Sequence, residues 1–87
     1  MSRVVNIMPV IIYAAEDIKR IRKSTGFSQR LFAEYLGVSH KTVEAWEAGI
    51  NAPAGAASRL LNMIERNKDI INEYPFVDLS DDQLIKH

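Results

Sequence analysis

The feature that most constrains this chain is a pair of short predicted helices with very little sequence between them. Ser28 is a typical N-cap for the first, which continues to Leu36, and Ser39 can cap the second. Only residues 37–39 lie between them, and Gly37 stands where a helix end favours left-handed backbone. Two helices joined by so short a turn must cross at an angle and share one core.

Apolar residues are spaced so that they fill the angle between these two helices. Ala33 is small enough to let the helices approach closely. The predicted core of this unit is Phe32, Ala33, Leu36, Val38, Val43 and Trp46.

Further helices are predicted on both sides of this unit. One begins near Ala14 or Ala15 and stops at Gly26, with acids in its first turn and bases towards its end, as the helix dipole favours. Its buried side is formed by Ile18 and Ile21. After Gly49 closes the third helix, Pro53 is expected to open a fourth. The apolar face of that fourth helix is Ala57, Leu60, Leu61 and Ile64.

The C-terminal part is predicted to be less regular. Residues 69–73 can form a short helical turn, which Tyr74 ends because it precedes a proline. Residues 80–83 read Ser-Asp-Asp-Gln, a capping box before a last turn of helix.

Length and composition favour one small domain. The chain has 87 residues, 47% apolar and 25% charged, which suits a single core. We expect an all-α bundle of about five helices with an extended N-terminal arm. The predicted boundaries are 1–13 for the arm, 14–74 for the helical domain and 75–87 for an acidic tail.

The arm is apolar from Val4 to Tyr13. It resembles a targeting segment only superficially, because Asn6 and Pro9 interrupt it and a membrane span needs about 20 residues. Its valine and isoleucine content favours an extended segment or an edge strand instead. No membrane association is expected.

Charge is unevenly distributed although the net charge is zero. Residues 1–68 hold ten Lys and Arg against six Asp and Glu, whereas 69–87 hold one against five. The basic part is suited to a polyanion, and the acidic part either covers it, meets another partner or is simply solvated. A chain this small buries a modest share of its surface, which favours a homodimer.

Few side chains are suited to catalysis. The chain has no cysteine and two histidines, His40 and His87, neither within a cluster of other ligating residues. This argues against an enzyme, a metal site or a cofactor, and the lack of cysteine suits a reducing cytoplasm.

The segment FSQRLFAEYLGVSHKTVEAWEAG, residues 27–49, resembles the helix-turn-helix of the phage repressor and Cro (XRE) family. The likeness extends over residues 18–61. It rests on Ser28-Gln29, on the turn A-x-x-L-G-V-S, and on the W-E-x-G close at Trp46. It implies a lambda-repressor-like fold and binding to double-stranded DNA, with the third helix in the major groove.

The resemblance also implies which residues contact DNA. His40, Lys41 and Ala45 would read bases and Thr42 would lie near phosphates, while Gln29 would bind a phosphate at the start of the second helix. In the loop after the third helix only Asn51 can bind a phosphate, so affinity would need two copies on a palindromic operator. The predicted DNA-binding residues are Ser28, Gln29, Ser39, His40, Lys41, Thr42, Ala45 and Asn51.

Two further pairs of residues are informative. Arg22 and Glu47 resemble the internal ion pair of the family, which assigns Arg22 to structure. Leu31 and Tyr35 are apolar where polar residues are usual, and we expect them to pack in the core, under the arm, or in a dimer contact.

From Trp46 the sequence reads W-E-A-G-x-x-x-P and continues through residues 55–67. Together with the short stretch A-E-D-I-K-R-I-R-K at residues 15–23, it resembles HigA-type antitoxins of toxin-antitoxin operons. That similarity implies repression of the chain's own operon and binding of a small basic toxin by the arm or the acidic tail. The alternatives are a stand-alone repressor and a protein-interaction module without DNA activity. RNA binding is disfavoured because Phe27, Phe32 and Trp46 are expected in the core, where they cannot stack on bases.

Overall fold

The computed structural model of the chain describes residues 4–78, and its architecture over this range is all-α. Five helices follow one another: α1 (Ala15–Thr25), α2 (Gln29–Leu36), α3 (His40–Glu47), α4 (Ala56–Arg66) and α5 (Ile70–Glu73). The predicted fold class is confirmed, and this range contains no strand. The capping box at residues 80–83 lies outside the described residues.

Local chemistry fixes the ends of α1. The carboxylate of Asp17 accepts a hydrogen bond from the backbone N–H of Ala14 at 3.0 Å, which satisfies a donor that the helix start leaves open. Gly26 then ends the helix in the left-handed region, with φ of 80°. Both ends agree with the prediction.

The turn between α2 and α3 is a Schellman motif, the helix end in which a left-handed residue lets two N–H groups turn back. Gly37 has φ of 80° and donates to the carbonyl of Glu34 at 3.2 Å. The N–H of Val38 reaches back to the carbonyl of Ala33 at 3.0 Å. This reversal sets the crossing of α2 and α3.

The fourth helix begins later than predicted. Pro53 is buried in the preceding loop and does not open α4, which starts at Ala56 after Gly55. Gly55 has φ of 55° and ψ of −126°, a conformation that residues with a side chain rarely adopt. The fourth helix therefore begins three residues later than predicted, after the loop has completed its turn at Gly55.

The core lies where α1, α2, α3 and α4 meet, and α5 closes one end. Phe32, Ala33, Val43 and Trp46 are buried as predicted, while Leu36 and Val38 pack against them half-buried. Leu61 and Ile64 of α4 have no exposed surface. The shared core holds the α2–α3 unit in a fixed orientation.

Tyr35 resolves one open alternative in favour of the core. Its ring lies 5.9 Å from that of Phe27 and 5.2 Å from that of Phe76, and its hydroxyl donates to the Ile70 carbonyl at 3.3 Å. Tyr35 therefore packs against the C-terminal segment and not under the arm, and Leu31 lies half-buried against the same core.

The predicted arm contains no helix or strand between residues 4 and 12, and its large side chains are exposed. It is attached at its base by Tyr13, which is 3% exposed. The Tyr13 hydroxyl donates to Glu65 at 2.7 Å and accepts from Asn62 at 3.2 Å. These bonds fix the point where the arm leaves the domain.

Candidate nucleic-acid interface

One face of α3 is anchored in the core and the other is polar and accessible. Val43 is fully buried and Trp46 is 5% exposed, so the opposite side of the helix is directed outwards. Lys41 is exposed there, while His40, Thr42 and Ala45 are half-buried. A helix with one anchored and one polar face is what the major groove of DNA accepts.

The start of α3 is held by its cap. Ser39 Oγ accepts from the backbone N–H of Thr42 at 3.1 Å and lies 2.8 Å from the hydroxyl of Thr42. Ser39 therefore acts first as a helix cap, and its hydroxyl is shared with Thr42. This arrangement places His40 and Lys41 on the first turn of the helix.

His40 has a neighbour on its own helix. Its Nε2 lies 3.8 Å from a carboxylate oxygen of Glu44, one turn later, where the two form an ion pair only if the imidazole is protonated. Glu44 is exposed and lies on the face that carries Lys41. A negative charge at this position limits where phosphates can approach.

Behind this face, Arg22 of α1 forms a two-point ion pair with Glu47 of α3. Arg22 Nε and Nη2 donate to the two Glu47 oxygens at 2.7 and 3.0 Å, and the Glu47 side chain is only 2% exposed. Arg22 Nη1 also donates to the carbonyl of Phe27 at 2.9 Å. The ion pair expected from the sequence is confirmed, with Arg22 engaged in structure.

Burial alone would raise the pKa of Glu47, because a buried carboxylate loses its hydration. Hydrogen bonds from Arg22 and Gln29, together with the positive charge of Arg22, outweigh burial and hold the pKa below its ordinary value. Glu47 is therefore a carboxylate at neutral pH and keeps α1 and α3 together.

Gln29 has a partner that sequence reasoning missed. Its Nε2 donates to Glu47 Oε1 at 3.0 Å, so the side chain predicted to bind a phosphate is also tied to α3. An amide nitrogen carries two hydrogens, and one remains for a further acceptor. The family resemblance suggested a role for each residue separately, but the contact depends on the α2–α3 crossing angle.

The remaining predicted DNA-binding residues, Ser28 and Asn51, lie outside α3. Ser28 caps α2 by accepting from Leu31 N–H at 3.2 Å, and Asn51 is exposed in the loop after α3. Arg30, which was not among the predicted residues, is exposed in the first turn of α2, and its side chain has no partner among residues 4–78. The sequence feature that could have identified Arg30 is its position as a basic residue directly after Gln29.

The described part of the chain shows no cluster of three or more residues that could hold a metal ion. Within the same residues, no helix has the length and apolar character needed to cross a bilayer.

Comparison with known families agrees with this geometry. Residues 18–63 match the Helix-turn-helix family, more than half of the chain. The chain therefore belongs to the XRE-type helix-turn-helix family, a class of DNA-binding regulators.

Among curated proteins, the chain is similar to "Antitoxin HigA-2" of Vibrio cholerae serotype O1 (strain ATCC 39315 / El Tor Inaba N16961). The two are 33% identical over 57 residues, which cover 66% of this chain and 55% of the relative. The chain thus spans about half the length of the curated relative it matches.

Proposed function

We propose that this protein binds duplex DNA in a sequence-selective way by inserting α3 into the major groove. One observation carries the proposal: the polar face of α3 is backed by buried Val43 and Trp46 and locked to α1 through Glu47. Lys41 can donate to guanine O6 and N7, His40 can donate or accept, and Ala45 can contact a thymine methyl. A rigidly held helix is what base reading requires.

Phosphate contacts would position this helix on the duplex. Gln29 keeps one amide hydrogen, and the N–H groups at the start of α2 favour an anion. Arg30 and Asn51 are exposed on the two flanks of the α2–α3 unit, Arg30 in α2 and Asn51 after α3. The Thr42 hydroxyl oxygen lies 2.8 Å from Ser39 Oγ, and we assign to this same oxygen a contact with a DNA phosphate.

We further propose that the protein represses transcription from its own operon and acts as an antitoxin. The support is its likeness to a protein named as an antitoxin and the pair of segments, apolar arm and acidic tail, that DNA reading leaves unused. An exposed apolar run tends to aggregate unless another chain pairs with it. A small basic toxin would find an apolar partner in the arm or an acidic one in the tail.

The DNA-binding proposal is tested by a gel shift with DNA from upstream of the gene, against random duplex of equal length. We expect selective retention that persists at moderate salt, because base contacts do not release counterions as phosphate contacts do. Equal binding to both duplexes would contradict sequence selectivity and leave the interaction-module alternative as the better reading.

The antitoxin proposal is tested by co-expressing the neighbouring gene with the full chain and with two truncated forms. The structure defines the two cuts. One truncation removes residues 1–12 and keeps Tyr13, which belongs to the core. The other removes residues 79–87 and keeps Phe76 and Val77, which contact the core. We expect one truncation to lose the co-purified partner while still binding DNA. If neither the full chain nor either truncation retains a partner, the chain is a stand-alone repressor.

A further inference from the structure

A cleft lies between the arm and α4, on a part of the molecule that DNA reading does not use. It has a volume of about 340 Å³, with Met8, Pro9 and Ile11 on the arm side. Ser58, Arg59, Asn62 and Arg66 form the α4 side. Arg59 Nη2 donates to the Met8 carbonyl at 2.7 Å, which keeps the two walls together. One wall is thus apolar and the other polar and cationic.

The polar wall has unused hydrogen-bonding capacity. Ser58 is 1% exposed, and its Oγ has no hydrogen-bond partner among the described residues. The Arg66 side chain makes no ion pair or hydrogen bond within residues 4–78, and Arg59 is bonded there to a neutral carbonyl, not to a carboxylate. A buried hydroxyl without a partner is uncommon in folded proteins. Arg59 and Arg66, both exposed and without a carboxylate partner among the described residues, suit a carboxylate carried by a segment that also has apolar side chains.

We propose that this cleft binds the acidic segment of the same chain, residues 79–87. That segment reads Leu-Ser-Asp-Asp-Gln-Leu-Ile-Lys-His, so Asp81 and Asp82 can pair with the two arginines. Leu84 and Ile85 supply apolar side chains for the wall formed by the arm. Charge and apolar character are therefore complementary on both sides of the contact.

The chain is long enough for this contact. Phe76 lines a small apolar cavity together with Leu60 and Met63 of α4, so the chain already lies beside that helix before residue 79. Met63 and Arg66 are three residues apart on α4, about 5 to 6 Å. Asp81 follows Phe76 by five residues, which can span up to roughly 17 Å. No rearrangement of the helices is needed.

The contact would join the two segments that lie outside the DNA-binding unit. A basic partner that attracts Asp81 and Asp82 would compete with Arg59 and Arg66, and would open the cleft along the arm. Occupation of the cleft therefore distinguishes the free protein from a protein bound to such a partner.

Paramagnetic relaxation in the full-length protein tests the proposal directly. The chain has no cysteine, so Gln83→Cys provides a single attachment site for a spin label. We expect selective loss of amide signal for Ser58, Asn62 and Arg66, and for the arm around Met8. The loss should disappear in Asp81→Asn/Asp82→Asn and in Arg66→Gln.

Two control variants match these changes in charge. Lys68→Gln removes one positive charge just after α4, and Glu34→Gln/Glu44→Gln removes two negative charges from α2 and α3. Both controls should keep the signal loss. Absence of localised signal loss in the parent protein, or its persistence in Asp81→Asn/Asp82→Asn, would overturn the proposal.

A mixed sample identifies the chain that supplies the segment. Spin-labelled protein without isotope is combined with isotope-labelled protein without a spin label. No signal loss is expected here, because the segment occupies the cleft of its own chain. Signal loss in this sample would show that a second copy is the occupant and would overturn the assignment.

Discussion

At the residue scale, Glu47 lies behind the proposed interface and has hydrogen-bond partners on two other helices. It bonds Arg22 of α1 and Gln29 of α2 while belonging to α3, so one carboxylate joins three helices. The Arg22 pairing could be predicted from the sequence by resemblance. The Gln29 contact could not, because it depends on how closely the two helices cross.

Glu47→Gln should destabilise the fold by about 3 kcal/mol, since it leaves the Arg22 guanidinium largely buried without its counter-charge. The folded-state pKa of Glu47 is lowered, so its contribution is complete above the ordinary glutamate pKa and is lost as the pH falls through the lowered value. The variant should therefore lose less stability below about pH 4.5 than the parent does. Urea unfolding from pH 7 to pH 3 measures both effects.

The exposed Glu34→Gln is the matched control for that series and should change stability little at any pH. The stability of Glu47→Gln will still fall somewhat as the pH is lowered. Hydrogen bonds from Tyr13 and Arg20 lower the pKa of Glu65 as well, which acts in the same direction. An unchanged pH profile in Glu47→Gln would contradict the role assigned to this pair.

Lys41→Ala should weaken binding to the cognate operator by about 1 to 3 kcal/mol and should reduce selectivity, because a base contact is lost. Gln29→Ala should weaken cognate and random DNA more evenly, since it removes a phosphate contact. Fluorescence anisotropy on both duplexes separates the two patterns. Lys68→Ala is the control, because it removes the same charge at a position beyond α4. It should leave the preference for the cognate operator over random DNA unaltered.

At the scale of elements, helix ends followed the sequence wherever a single residue determines them. Ser28, Ser39, Gly26 and Gly37 act as predicted, because caps and left-handed glycines depend on local chemistry. The start of α4 was misplaced because proline only permits a helix start, whereas here Gly55 supplies the turn. The edge strand considered for the arm is not formed within residues 4–78, since strand pairing needs a neighbour.

Gly37→Ala should cost about 1 kcal/mol, although nothing lies within 4 Å of the added methyl group. The cost comes from the left-handed backbone, with φ of 80°, which alanine adopts poorly. Gly37→Asn should cost less, because asparagine tolerates this region better. Thermal unfolding ranks the three proteins, and equal midpoints for the alanine and asparagine variants would contradict a backbone origin.

At the scale of the whole molecule, the proposed DNA-reading helix and the cleft lie on different helices. α3 packs on α2 and α1, whereas α4 packs on α1 and α5. DNA binding by α3, as proposed, therefore need not compete with occupation of the proposed cleft beside α4. The sequence indicated both regions, through the helix pair and the unused arm, but not the cleft between the arm and α4, which depends on the course of the arm across that helix.

The protein should bind its operator as a homodimer with the two α3 helices about 34 Å apart, one turn of DNA. A single copy offers few phosphate ligands, so its affinity alone would be low at physiological salt. Sedimentation of the free protein and of its complex with a palindromic duplex measures the stoichiometry. A single copy on that duplex would contradict the expectation.

The bond between Arg22 and Glu47 also has a consequence for synthesis of the chain. The two residues are 25 positions apart, so the guanidinium leaves the ribosome well before the carboxylate that it will bind. The hydrophobic core still lacks Leu61 and Ile64 at that moment, because both belong to α4. We therefore expect a nascent or clipped chain that ends before α4 to have an incomplete core, and so to hold α1 and α3 together less stably than the finished protein does.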